Sequence, residues 1–132
     1  MTSIEINGTN YPLKFGLEFI RKMNKKYKAQ AEEAGVEGED AGLAYAISAV
    51  ALDNSVTTLI DAILEAAATV KDNQLTKDKL VEWIESDDMD IDKLFEDVED
   101  FFEKSNFCKI TLKKLKDMQK RLEEQEKALT EG

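Results

Sequence analysis

The residues best placed to do chemistry lie in one acidic run. Asp88, Asp90 and Asp92 alternate, and Glu99 comes eleven positions after Asp88. Oxygen ligands at the first, third, fifth and twelfth positions of a loop are how an EF-hand holds calcium. The sixth position of such a loop needs glycine for its sharp turn, and here it is Lys93. Ile91, Leu94, Phe95 and Val98 also recur at helical spacing straight through the run. An acid-rich helix start explains the same residues, because carboxylates there accept bonds from free N–H groups and complement the helix dipole. The expected reading is therefore a capped helix, with no metal.

Other chemistry is bounded by composition. Residues 82–103 hold eleven acids and one base, Lys93, so almost any spacing of two carboxyls can be found there. General acid–base work needs a pair held across a cleft with separated pKa values, whereas a solvated acidic face needs nothing more than water. The chain has no histidine, which removes Ser-His-Asp and Cys-His relays and imidazole-ligated metals. Cys108 is the only cysteine, so an internal disulfide, a thiolate zinc cluster and a CxxC pair are excluded. Gly8, Gly16, Gly35, Gly38 and Gly42 are too scattered to cradle a phosphate. No enzymatic activity, catalytic residue or cofactor is expected.

The elements that must carry any function fit one domain. At 132 residues, with a hydrophobic share of 42%, the chain is long enough for a single core and too apolar for a disordered tail. Its net charge of −10 is unevenly placed: residues 1–35 carry +2, residues 36–107 carry −14 and residues 108–132 carry +2. An acidic body between mildly basic ends points to intramolecular docking or head-to-tail pairing of copies, and argues against nucleic acid or an anionic membrane as partner. No apolar run approaches the ~20 residues of a membrane helix, and the start has no signal-peptide profile, so a soluble intracellular protein is expected.

Ile4-Glu5-Ile6, Asn7-Gly8 and Tyr11-Pro12-Leu13 read as a β-hairpin, since Asn-Gly accepts the positive φ angles of a type I′ turn. Pro12 lacks an N–H and marks an edge or a strand end. The remainder of the chain is helical in pattern. Phe19, Ile20, Met23, Tyr27, Ala31 and Ala34 share one face, closed by Gly35. Leu43, Ile47, Val50 and Ala51 mark a second helix, and Val56, Leu59, Ile60, Ile63, Leu64, Ala67 and Val70 a third, capped by Asn54 or Ser55. These two alanine-rich helices are expected at the centre of the core. Thr76 caps a fourth helix with Leu80, Trp83 and Ile84, a fifth begins near Asp90, and Thr111 opens a last one. The fold expected is mainly α, with about six helices and a short N-terminal β-hairpin. Residues 1–14 form the hairpin, 15–108 the helical body and 109–132 a charged C-terminal helix free to move.

Two apolar groups are candidates for partner binding. Phe101, Phe102 and Phe107 crowd three adjacent faces at the end of the fifth helix, more than one core stripe accommodates. Leu115, Leu122 and Leu129 recur every seven residues, with Leu112 and Met118 nearby, but Gln119, Gln125 and Glu126 interrupt the companion positions. The row is a weak seam that needs some cover. The candidate partner-binding set is Phe101, Phe102, Phe107, Leu112, Leu115, Met118 and Leu122.

The N-terminal block, Ile4-Glu5-Ile6-Asn7-Gly8, Tyr11-Pro12-Leu13-Lys14-Phe15-Gly16-Leu17, Phe19-Ile20 and Asn24-Lys25-Lys26-Tyr27, resembles the tail assembly chaperones of long-tailed phages and prophages of Gram-positive bacteria. The resemblance continues through Trp83-Ile84-Glu85, Leu94-Phe95-Glu96 and Phe107. It implies a non-enzymatic protein that coats the helical tape measure protein and keeps it soluble until tail tube subunits polymerise along it. It also implies a homo-oligomer, a longer frameshifted form of the same protein as a partner, and a place in the cytoplasm of the infected or lysogenic host rather than in the mature virion. A tape measure is a long amphipathic helix, which a groove between helices would accept through anchors at helical spacing. A different class remains open: an acidic DNA mimic or inhibitor whose row from Glu82 to Glu103 fills the groove of a basic partner.

Overall fold

The computed structural model describes residues 2–131, and among them there are two strands and seven helices. β1 (Ser3–Ile6) and β2 (Thr9–Pro12) pair antiparallel within the chain, with Ile4 opposite Tyr11 and Ile6 opposite Thr9. Asn7 (φ 50°) and Gly8 (φ 85°) make the turn that their residue types permit. Ile4, Ile6 and Tyr11 face inward, so a hairpin that is marginal alone is held by its buried side.

Seven helices come after the hairpin: α1 (Leu17–Lys26), α2 (Lys28–Glu33), α3 (Ala41–Ala51), α4 (Val56–Ala68), α5 (Lys77–Ile84), α6 (Ile91–Lys104) and α7 (Cys108–Glu131). The exit from the hairpin is bound to the end of α4. The Lys14 N–H donates to the Ala66 carbonyl at 3.1 Å, and Asn73 Nδ2 donates to the Pro12 carbonyl at 2.6 Å. Ser55, Thr76 and Asp90 each accept from the backbone N–H three residues on, capping α4, α5 and α6. The acidic run around Asp90 is thus a capped helix start.

α3 and α4 lie at the centre, α3 packing on α1, α2, α4, α6 and α7, and α4 on α1, α3, α5 and α6. Leu43, Ala46, Ile47, Leu59, Ala62, Ile63 and Ala66 are all buried there. Gly42 sets the distance from α3 to α1, since a Cβ at that position would stand 2.5 Å from the Asn24 carbonyl oxygen. Asn24 uses the close approach: its Oδ1 accepts from the Leu43 N–H at 2.8 Å and its Nδ2 donates to Asp40 at 2.9 Å. α3 is therefore capped by a side chain from another helix.

Two boundaries differ from those expected. The single helix spanning Phe19 to Ala34 is two helices, broken at Tyr27 (φ −106°, ψ 16°). Tyr27 donates its hydroxyl to Asp61 on α4 at 2.5 Å and stacks on Tyr45 of α3 with 5.9 Å between ring centroids. The bend keeps Tyr27 on α4 while Ala31 packs inward. The last helix begins at Cys108, not Thr111, because Ser105 starts it; Cys108 and Leu112 are fully buried, so its first turns belong to the core.

Burial, then the bond to Asp61, pushes the Tyr27 hydroxyl up to about 12. The folded state holds this proton more tightly than the unfolded state, whose tyrosine titrates near 10. The stabilisation is therefore complete below pH 10 and is lost as pH rises from about 10 to about 12. Tyr27→Phe is expected to cost about 1 kcal/mol at neutral pH. Its urea midpoint should also fall less than that of the parent protein across that alkaline window.

Candidate functional site

The site begins at the corner between α6 and α7. Ser105 Oγ donates to the Phe15 carbonyl at 2.7 Å and accepts from the Cys108 N–H at 3.2 Å, joining this corner to the start of α1. Phe15 lies edge-on to Phe19 (4.9 Å) and Phe102 (5.6 Å), and its ring is 5.9 Å from Phe101. Burial pushes the Cys108 thiol up to about 11, which leaves it protonated and a packing group. With Cys108 and Leu112 seated, the start of α7 is held against α3 and α6.

A groove of about 760 Å³ opens between α1, the loop before α3 and α7. Leu17 (53% exposed), Phe107 (45%), Ile110 (54%) and Met118 (59%) stand along it, with buried Ile20 and Leu43 beneath. Ile110, Lys114 and Met118 succeed one another at four-residue steps, so they form one face of α7. Arg21 and Lys114 line the groove together with Glu37, Glu39 and Asp40, so both signs of charge border the apolar strip. A second cleft of about 550 Å³ lies on the other side of Phe107, with Phe101, Val70, Lys14, Lys71 and Lys104 around it.

The residues singled out from the sequence divide into three groups. Phe107, Leu115 and Met118 line the groove, Leu115 half-buried. Phe101 is half-buried in the second cleft, and Leu122 is exposed on the outer part of α7. Phe102 (1% exposed) and Leu112 (2%) face inward and hold α6 and α7 against the core. The crowding of three phenylalanines is resolved by Phe15, which receives both Phe101 and Phe102. The sequence pattern does not single out Leu17 or Ile110, which the fold adds to the groove. The four-residue step from Ile110 to Met118 is the available signal, hidden by the seven-residue count of leucines.

The acids of the 82–103 row are partly engaged. Lys93 bonds Asp97 (3.2 Å), Lys104 bonds Asp100 (2.7 Å), and Lys116 reaches Glu99 (2.8 Å) and Glu103 (3.1 Å). The hydrogen bond to Glu99 is the main cause that raises the Lys116 pKa, and that to Asp100 raises Lys104. Glu99, the twelfth position of the calcium-loop spacing, is therefore a tie between α6 and α7. Among the described residues no group of three His, Cys, Asp or Glu has metal-binding geometry, and no helix is long and apolar enough to cross a membrane.

Ser105→Ala would leave the Phe15 carbonyl and the Cys108 N–H without their partner, an expected loss of roughly 1–3 kcal/mol. Urea unfolding measures the loss, and amide exchange at Cys108 to Leu112 should quicken with it.

A family model described as phage tail assembly chaperone protein, TAC, matches residues 3–117. Neither the curated proteins nor the solved structures gave a match.

Proposed function

The chain belongs to the phage tail assembly chaperone family, and from that premise we propose that it receives the helical tape measure protein in the groove between α1 and α7. The observation that carries this reading is the row of exposed apolar side chains on that groove, Leu17, Phe107, Ile110 and Met118. An amphipathic helix laid in such a groove presents anchors three, four and seven residues apart, a helical spacing that Ile110 and Met118 themselves share. Leu115 offers the inner wall, while Phe102 and Leu112 act by fixing the helices that bound it. The mixed charges of Arg21, Lys114, Glu37, Glu39 and Asp40 would orient the partner without adding much affinity.

The role is non-enzymatic and needs no cofactor. The chaperone covers the tape measure while it is unsheathed and gives way as the tail tube protein assembles along it. A net charge of −10 keeps a crowded assembly of copies soluble and reversible. The setting is the cytoplasm of an infected or lysogenic bacterium, Gram-positive by the resemblance of the N-terminal block. A longer frameshifted form would share the same groove.

Co-expression with the tape measure protein of the same phage tests this. The tape measure should be insoluble alone and recovered in a soluble complex with the chaperone. Ile110→Glu with Met118→Glu changes only exposed positions and should reduce the soluble tape measure at least tenfold. A complex that survives both substitutions but dissolves in about 0.5 M salt would instead place binding on the acidic face of α5 and α6.

A further inference from the structure

The two edges of the hairpin are closed to different degrees. Opposed residues of an antiparallel pair alternate between exchanging their backbone hydrogen bonds and turning them outward. The Leu13 N–H donates to the Thr2 carbonyl at 2.9 Å, and Ser3 lies opposite Pro12 and Glu5 opposite Asn10, which fixes the phase. Ser3 and Glu5 therefore turn their N–H and C=O groups away from β2. No turn, loop or side-chain hydrogen bond among the described residues takes these groups up. The outer edge of β2 is interrupted, because Pro12 has no N–H and its carbonyl accepts from Asn73 Nδ2. β1 thus keeps two successive outward residues with both backbone groups free, which is what an added strand pairs with.

A cleft of about 390 Å³ lies along this open edge, between Ser3, Ile4 and Glu5 on one side and residues of α5, α6 and their connection on the other. Buried Leu94 and half-buried Trp83, Met89 and Phe101 give it an apolar lining. Glu5, Asp88, Asp90 and Asp97 stand around it against one base, Lys93, which Asp97 already holds at 3.2 Å. We infer that an extended, basic segment of another protein adds a third strand to β1 over this cleft. Backbone pairing with Ser3 and Glu5 supplies the register, and alternate side chains of the segment enter the cleft. Ile4 and Ile6 are buried on one face of the hairpin, and Glu5 is exposed on the other. The inward residues of the segment are therefore apolar, and those between them are lysine or arginine beside Glu5. A second copy's β1 would bring its own Glu5 to these carboxylates, so charge favours a basic strand over self-pairing. A helix has no free backbone groups to pair in this way. The occupant is thus distinct from the helical partner of the α1–α7 groove, and the inference does not rest on that reading.

Titration of the full chain with a short synthetic peptide of alternating lysine and valine, in about 0.15 M salt, tests the inference. Fluorescence anisotropy should show saturable binding below millimolar peptide, and amide exchange at Ser3 and Glu5 should slow at least tenfold in the complex. Glu5→Lys with Asp88→Lys should weaken binding at least tenfold. Both positions are exposed, so helical circular dichroism should be unchanged. Two further peptides carry backbone N-methyl groups, one on its valines and the other on its lysines. Only one set of amides can face β1, so one of the two peptides should bind at least tenfold more weakly than the other. Absence of binding at millimolar peptide would overturn the inference. So would equal binding of the two methylated peptides, which charge attraction without strand pairing produces, or slowed exchange confined to residues 107–118. Ile110→Glu with Met118→Glu should leave peptide binding unchanged, so failure at this edge and failure of the α1–α7 groove are read separately.

Discussion

The position of α7 depends on one hydroxyl. Ser105 joins the Phe15 carbonyl to the first turn of α7 through two hydrogen bonds, at a corner where backbone groups would otherwise be buried without partners. Around it, Phe15 packs edge to face with Phe19 and Phe102, and Cys108 and Leu112 complete the seal. The corner ties the first turn of a 24-residue helix to the body. Phe107, beside that corner, lines both the groove beside α1 and the second cleft.

A second constraint is electrostatic. Nineteen acids against five bases in residues 36–107 would make a compact body repel itself. The structure offsets part of this through Lys116, which reaches Glu99 and Glu103 from α7, and through Lys22 and Lys26, which approach Glu65 and Asp61 on α4. Exposed pairs of this kind contribute little each, up to about 1 kcal/mol. Their value lies in placing basic helices over acidic ones, so α1 and α7 flank the groove with apolar side chains turned toward it. On the proposed reading, the exposed apolar strip would supply affinity for the partner while the charge limits unwanted association.

How much of this was legible in the sequence depends on the range of the interactions involved. The hairpin was readable because Asn7-Gly8 requires a local backbone conformation. Ser55, Thr76 and Asp90 were readable as caps because each bonds an N–H three residues away. The break at Tyr27 and the cap on α3 were not, because they depend on Asp61 and Asn24, which are 34 and 19 residues distant from their partners. The start of α7 was missed by one turn for the same reason: Ser105 is informative only once Phe15 is beside it. At the candidate site, the aromatic and leucine pattern does not separate inward Phe102 and Leu112 from outward Phe107 and Met118. Leu17 was invisible, being an ordinary leucine at a helix start until α7 is laid alongside.

If a helical partner lies in the α1–α7 groove, the backbone on both sides of that groove must be shielded when the partner is bound. Amide hydrogen exchange of the chaperone, free and in complex with the tape measure protein, is the decisive comparison. Added protection is expected in residues 17–24 and 107–118, with the acidic segment 82–100 unchanged. Protection confined to residues 82–100, with the groove exchanging as in the free protein, would contradict the assignment.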